Sequence, residues 1–178
     1  MLVFRFHTGD LGRMGSDGFV HVTGRLKEQY KLENGKYICP TPIEEAIGMS
    51  RFIMQVVLCG ANRPHNVALL VLDWAAIRSE LKILDDVTED ELVNDRRVKR
   101  LIDSEIKSSC KGKLKKFEIP QEWAMVAPFT AANNMLTPKM SIRRHVVIKT
   151  YEDVINVLYR DAVVAGGADG TSEHREAA

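Results

Sequence analysis

Asp10 and Arg25 are the first residues whose types and spacing suggest chemistry. A carboxylate after a Thr-Gly turn can accept hydrogen bonds from both hydroxyls of a ribose, and a guanidinium can bind the same sugar or a phosphate. The chain between them turns at Ser16-Asp17-Gly18 and continues as a strand, which predicts a hairpin that brings Asp10 and Arg25 together. Each also has a simpler interpretation, because Asp10 could bond its own backbone and the two side chains could form an ordinary ion pair.

Several further cations stand where an anionic substrate could be held. The candidates are Lys27 and Lys31 after the first hairpin, and Lys139, Arg143 and Arg144 at the start of the last predicted helix. A lysine supplies a mobile positive charge, and an arginine supplies a planar set of donors. Most such side chains are solvated surface residues, so the sequence leaves both uses open.

The elements that must position these residues indicate an α+β fold. A second hairpin is predicted around Asn34-Gly35, because both residues tolerate positive φ. Continuous apolar runs at 53–59 and 67–72 indicate strands of a sheet that is buried on one or both faces. The other predicted elements are helices at 43–49, 74–82, 89–93, 97–110 and 142–159, a short strand at 123–126, and a loop at 128–139.

The chain divides into three parts by composition. Residues 1–27 are interpreted as the end of a different, preceding unit, since the apolar start reads as a strand entered partway. Residues 28–160 form the predicted α+β domain. Residues 161–178 contain Gly166-Gly167 and Gly170 and lack core residues, which predicts a disordered tail.

Composition excludes several classes of protein. Lys and Arg number 25 against 24 Asp and Glu, so the overall charge favours neither nucleic acid nor an anionic membrane as a partner. The three cysteines are widely spaced, have no metal-ligand spacing and are interpreted as reduced thiols of an intracellular protein. No apolar run reaches the length of about 20 residues that a membrane helix needs.

The order of these motifs resembles the C-terminal region of the adenylate-forming ligases, and most closely the long-chain acyl-CoA synthetase branch. The resemblance covers about residues 4–160. It is carried by Phe6-His7-Thr8-Gly9-Asp10, Gly24-Arg25-Leu26-Lys27, Leu32-Glu33-Asn34-Gly35, Pro128-Phe129-Thr130, Leu136-Thr137-Pro138 and Arg143-Arg144. It implies the small C-terminal domain of these enzymes, preceded by a terminal β-hairpin of the large domain.

The resemblance also implies roles for individual residues. Asp10 and Arg25 would hold the ribose of ATP and of acyl-AMP. Lys27 would be the hinge about which the small domain rotates between adenylate formation and transfer of the acyl group to coenzyme A. Lys31 would act in the thioester-forming state, and Gly35 would let the pantetheine chain pass close to the backbone.

Two departures from the family pattern limit this interpretation. The long-chain branch usually has Leu-Thr-Pro-Thr-x-Lys, but Ser141 stands at the lysine position and Lys139 stands two residues earlier. A flexible loop could let Lys139 reach the site as an electrostatic catalyst, or the adenylation lysine is lost. The family's phosphate-binding loop is also absent from this sequence. We therefore expect the metal site for Mg²⁺ and most of the ATP site to lie in the large domain, and the chain alone to be inactive.

Two alternatives stay open at this point. Ser141 favours a non-catalytic binding or regulatory module that keeps the fold. The basic stretch 96–116 could instead bind a nucleic acid or another anionic surface, although it lacks aromatic residues for base stacking and suits a solvated helix face. Within the family resemblance, some of its cations could meet the 3′-phosphate of coenzyme A.

The expected partners are therefore small molecules, namely ATP, a long-chain fatty acid and coenzyme A, and not a nucleic acid. The resemblance leaves peripheral membrane contact of the complete protein open. Its expected location is a reducing compartment, either the cytoplasm or the surface of an organelle membrane.

Overall fold

A computed structural model gives the structure of residues 7–84 and 86–166. Its first element is an antiparallel hairpin of strands β1 (Asp10–Met14) and β2 (Val20–Arg25). This confirms the hairpin expected from the Ser16-Asp17-Gly18 turn. Residues 1–6, which were interpreted as a strand entered partway, lie outside the described residues.

A short 3-10 helix, Leu26–Glu28, leads from this hairpin into the second one. Strands β3 (Tyr30–Lys31) and β4 (Tyr37–Ile38) pair antiparallel, as the Asn-Gly signal predicted. Gly35 has a φ of 86°, a left-handed conformation that a residue with a Cβ rarely adopts. The turn between the two strands therefore requires a glycine at this position.

A three-stranded sheet forms the centre of the molecule. Strand β5 (Ile53–Cys59) pairs antiparallel with β6 (Val67–Leu72), and β6 pairs parallel with β7 (Glu122–Met125). The two long strands have the predicted bounds, and the continuous apolar run of β6 suits a strand that is covered on both faces. Strand β7 lies one residue earlier than predicted.

Four helices lie between the second hairpin and β7. They are α1 (Pro40–Gly48), α2 (Trp74–Leu81), α3 (Glu89–Val93) and α4 (Arg96–Cys110). Helix α3 begins with a capping box, in which Thr88 and Glu91 each satisfy a backbone N–H of the first turn. Helix α1 begins three residues earlier than predicted, since Pro at its first position needs no N–H partner.

The prediction of a single helix over residues 142–159 is wrong in two respects. Ile142 forms a β-bridge with Leu136, so the helical region starts only at α5 (Arg144–Thr150). A ψ of 23° at Tyr151 then interrupts it before α6 (Glu152–Gly166). Helix α6 also includes residues 161–166 of the predicted disordered tail, and residues 167–178 lie outside the described residues.

Both faces of the sheet are covered, which explains why every residue of β6 is buried. Alternate residues Ala68, Leu70 and Leu72 pack in one cluster with residues of α1, α2 and α4. The intervening residues Val67, Leu69 and Val71 pack in a second cluster with α5, α6 and the loop that follows β7. Because successive side chains of a strand point to opposite faces of the sheet, β6 contributes residues to both clusters. Within the described residues, no helix is long and apolar enough to span a bilayer.

Candidate functional site

Asp10 and Arg25 lie directly opposite each other on β1 and β2, as the hairpin prediction required. Arg25 Nε is 2.9 Å from Asp10 Oδ1, so the two side chains form an ion pair. The pair is open to solvent, with 61% of the Arg25 side chain and 31% of the Asp10 side chain exposed. The simpler interpretation of an ion pair is thus correct for this structure, and the exposure leaves both groups within reach of a ligand.

The backbone around this pair is also fixed. Gly9 has a φ of 76°, and its carbonyl oxygen accepts a hydrogen bond from Leu26 N at 2.8 Å. The N–H of Asp10 donates to Thr8 Oγ1. A cleft of about 280 Å³ lies here, lined by Thr8, Gly9, Arg25, Lys27 and Glu28. Arg25 and the predicted hinge residue Lys27 therefore border one cleft, and Arg25 is paired with Asp10 beside it.

Lys27 lies in the 3-10 helix, which has extended backbone on both sides, at Arg25 and Gln29. Two side-chain contacts cross this short connection. The Cys39 thiol donates to Thr23 O at 3.2 Å, and the Thr41 hydroxyl lies 3.5 Å from Glu28 Oε2. Rotation of the domain about Lys27 would have to break the Cys39 contact.

Lys31 and Gly35 lie side by side on the second hairpin. A Cβ at Gly35 would lie 3.6 Å from Lys31 Cε, and Lys31 Nζ lies 5.8 Å from the centre of the Tyr37 ring. The Lys31 side chain and the exposed backbone of Gly35 therefore lie close together on this hairpin. On the same hairpin, Lys36 Nζ lies 4.6 Å from the centre of the Phe117 ring.

Part of the basic stretch 96–116 also reaches this hairpin, because Lys115 Nζ lies 5.7 Å from the same Phe117 ring. The basic residues of this stretch that lie in helix α4 are instead exposed to solvent. Helix α4 buries Val98, Ile102 and Ile106 and exposes its lysines and arginines. This is the arrangement of a solvated helix face.

The late loop that carries Lys139 forms a hydrogen-bonded turn. Thr137 N donates to Ser141 O at 2.8 Å, Met140 N donates to Thr137 O at 2.8 Å, and Ser141 N donates to Thr137 Oγ1. Lys139 is exposed near the tip of this turn. A cleft of about 490 Å³ between the hinge and α5 is lined by Lys27, Thr137 and Arg143, among others, but not by Lys139.

Arg144, which was grouped with the candidate cations, is instead part of a buried ion pair. Its two terminal nitrogens each donate to one oxygen of Glu44 at 2.6 Å, and one also donates to Leu58 O. Burial lowers the pKa of Arg144, but the hydrogen bond and charge of Glu44 outweigh burial and raise it. Arg144 therefore fixes the start of α5 on α1 and β5. Arg143 lies beside it and donates to Asn134 Oδ1.

Glu44 was not predicted from the sequence, because its partner Arg144 lies 100 residues further along the chain.

The three cysteines are free, as expected. Burial raises the pKa of Cys59 to about 12, so this thiol stays neutral near pH 7. Within the described ranges, no group of three or more His, Cys, Asp or Glu side chains is placed to hold a metal ion, and we assign no step to a metal here.

The chain was compared with known proteins. The family model described as "AMP-binding enzyme C-terminal domain" matches residues 27–163. Fatty acyl-CoA synthetase B of Dictyostelium discoideum is 31% identical over 162 residues, covering 86% of this chain and 24% of that protein. Long-chain-fatty-acid–CoA ligase 5 of Mus musculus is 32% identical over 157 residues, covering 86% and 23%. The chain thus spans about a quarter of the length of the curated relatives that it matches.

Solved structures show the same fold at lower identity. One is the A-PCP didomain of carboxylic acid reductase from Segniliparus rugosus in complex with AMP, with a TM-score of 0.73 and 20% identity over 91% of this chain and 21% of that chain. Another is the adenylation domain of a carboxylate reductase from Mycobacterium chelonae, with a TM-score of 0.71, 22% identity, and coverage of 87% and 23%. At such identities the likeness establishes the fold alone.

Proposed function

Because the chain belongs to the family of AMP-binding enzyme C-terminal domains, we propose that it is the C-terminal part of a long-chain fatty acid–CoA ligase. The complete enzyme would join a fatty acid carboxylate to the α-phosphate of ATP with release of diphosphate. It would then transfer the acyl group to the thiol of coenzyme A with release of AMP. The names of the curated relatives support this substrate class. The α+β fold of the small C-terminal domain is confirmed.

The observation that carries the proposal is the exposed Asp10–Arg25 pair beside the hinge. In our proposal, the Asp10 carboxylate accepts hydrogen bonds from the ribose hydroxyls of ATP and of acyl-AMP. Arg25 orients that carboxylate through its Nε–H and can present its other N–H groups to the nucleotide. The cleft at this pair holds only part of a nucleotide, so the proposal places the adenine and phosphate contacts in the large domain.

Lys27 is the proposed pivot between the two half-reactions. The proposal assigns residues 1–27 to the end of the large domain with its hinge and residues 28–160 to the mobile domain. The extended backbone on both sides of the 3-10 helix supports it, because hinge residues are element-terminal positions that absorb a change in φ and ψ. Rotation would break the contact between Cys39 and Thr23. Lys31 and Gly35 would then face the thiol substrate, with Gly35 leaving room for the pantetheine chain.

Lys139 is the proposed substitute for the lysine that Ser141 replaces. A cation at this place would stabilise the negative charge that develops as the carboxylate attacks the α-phosphate. The closed turn places Lys139 near its tip, so the side chain would enter the site when the whole domain rotates.

The second candidate function is a non-catalytic module that keeps this fold, and Ser141 is the observation in its favour. One measurement separates the two candidates. The ligase proposal requires ATP-dependent diphosphate release by the complete protein with a long-chain fatty acid. The Lys139 assignment additionally requires loss of that release in a Lys139→Ala variant. Absence of release from the intact wild-type protein would favour the module.

The Asp10 assignment is tested by Asp10→Asn in the complete enzyme, with Asp17→Asn on the same hairpin as the matched control. Hydrogen bonds to charged groups contribute about 1.5–3 kcal/mol, so each half-reaction should slow by roughly 10- to 100-fold. Adenylate formation and thioester formation are measured separately, since the ribose is present in both. Wild-type rates of both half-reactions in Asp10→Asn would refute the assignment.

A further inference from the structure

A separate cleft of about 360 Å³ lies between the turn that follows β5 and helix α6. It is lined by Arg63, Asn156, Tyr159 and Arg160. None of these residues has a role in the reaction proposed above. Two of its four lining residues are nevertheless arginines, and the guanidinium of Arg63 lies over the ring of Tyr159, so the cleft carries groups that can bind an anion.

Arg63 is held in place before any ligand arrives. Its Nη2 donates to Asn156 Oδ1, and its Cζ lies 4.9 Å from the centre of the Tyr159 ring. Tyr159 is itself buried, and its hydroxyl donates to His65 O at 2.9 Å. The Arg63 guanidinium is thus held by Asn156 and by the Tyr159 ring before binding, which lowers the entropy cost of binding a ligand.

Arg51 provides an internal comparison for the charge of Arg63. Arg51 Cζ lies 4.7 Å from the centre of the Phe52 ring, a similar stacking distance, but its guanidinium is paired with the carboxylate of Glu80. Arg63 is held by the neutral amide of Asn156 instead. The ion pairs found within residues 7–84 and 86–166 involve Arg25, Arg51, Arg97 and Arg144, and neither arginine of the cleft. Among the described side chains, neither cleft arginine forms an ion pair.

We propose that the cleft between Arg63 and Arg160 binds a phosphate group. A guanidinium presents two parallel N–H donors that match two phosphate oxygens, and two arginines on one cleft can balance a dianion. Arg63 also lies next to the turn of the second hairpin, because its carbonyl oxygen accepts a hydrogen bond from Glu33 N at 3.0 Å. The phosphate could therefore belong to a nucleotide or be free inorganic phosphate. The proposal does not depend on the ligase activity.

The test is a titration of the ¹⁵N-labelled 178-residue chain. The probes are adenosine 3′,5′-bisphosphate and, separately, inorganic phosphate, at constant ionic strength. Saturable amide shifts are expected in residues 60–66 and 155–160. Arg63→Gln should weaken binding by roughly ten-fold, since it removes one charge-assisted contact. Arg51→Gln, the matched stacked arginine, should leave binding unchanged.

Tighter binding of the bisphosphate would identify a nucleotide as the ligand, and equal binding would identify the phosphate group itself. The proposal is overturned if neither probe gives saturable shifts, or if Arg63→Gln and Arg160→Gln both bind as tightly as the wild type. Arg160 is exposed, so its variant keeps the test decisive if Arg63→Gln does not fold.

Discussion

The first hairpin and the domain behind it each place a carboxylate beside an arginine, with opposite consequences. In the hairpin, Asp10 and Arg25 touch through one nitrogen and one oxygen and are 31% and 61% exposed. In the domain, Glu44 and Arg144 touch through both oxygens and both terminal nitrogens and are only 14% and 20% exposed. Proximity of an acid and a base is therefore not what marks a ligand site. Unused donors in contact with solvent distinguish the hairpin pair.

The apolar residues of the hairpin and of the domain also differ in their exposure to solvent. Met14, Phe19, Val20 and Val22 of the hairpin are each about 70% exposed, whereas every residue of β6 is buried. A hairpin of this composition gains little stability from its own side chains in the described structure. This contrast supports the proposed division of the chain at the hinge.

Removal of one partner from each ion pair gives the largest expected difference between the two regions. Glu44→Ala should lower the free energy of unfolding by about 3–5 kcal/mol, because it leaves the Arg144 charge buried without a partner. Asp10→Ala should cost less than about 1 kcal/mol, since its pair is screened by water. Urea denaturation of both variants measures this. A similar loss in the free energy of unfolding for the two variants would show that the two ion pairs contribute equally to stability.

Truncation of one apolar side chain in each region sharpens the comparison. Leu70→Ala should cost about 2–5 kcal/mol, because it opens a cavity in the core between the sheet and its helices. Val22→Ala on the exposed face of the hairpin should change stability by no more than about 0.5 kcal/mol. The comparison fails if Val22→Ala is as costly as Leu70→Ala in the same denaturation experiment.

The smallest expected effect concerns pH. Burial lowers the pKa of His65, although Glu122 partly opposes this, and His65 Nε2 is buried with no partner among the described groups. The unfolded chain therefore binds a proton at a higher pH than the folded chain, so stability should fall as pH drops below about 6.5. His65→Gln should reduce this slope between pH 7 and pH 5. Equal slopes in the wild type and His65→Gln would contradict the assignment.

Local patterns predicted most of the strands and helices and the Asp10–Arg25 contact, because these depend on residues that are close in the sequence. The single helix predicted over 142–159 was wrong, because its apolar stripe does not show the break at Tyr151. Strands β5 and β6 follow from their apolar runs, and the hairpin fixes which residues of β1 and β2 oppose each other. The Glu44–Arg144 pair and the Arg63 cleft could not be predicted. Both features join segments that are far apart in the chain, and no local sequence pattern marks Glu44 or Arg63. The hydrogen bonds between Thr137 and Ser141 that close the Lys139 turn also could not be predicted, because the sequence does not show which backbone groups pair within a loop.

The parallel pairing of β6 with β7 constrains how the chain folds. Strands β5 and β6 are joined by a short turn and can pair early, whereas β7 can pair with β6 only after α2, α3 and α4 have crossed the sheet. Contacts between segments this far apart form slowly, because the intervening loop must lose its entropy first. Trp123 lies on β7 and donates to Asp103 of α4 at 2.7 Å. Its fluorescence should therefore report the last step of refolding, after the antiparallel half of the sheet has formed.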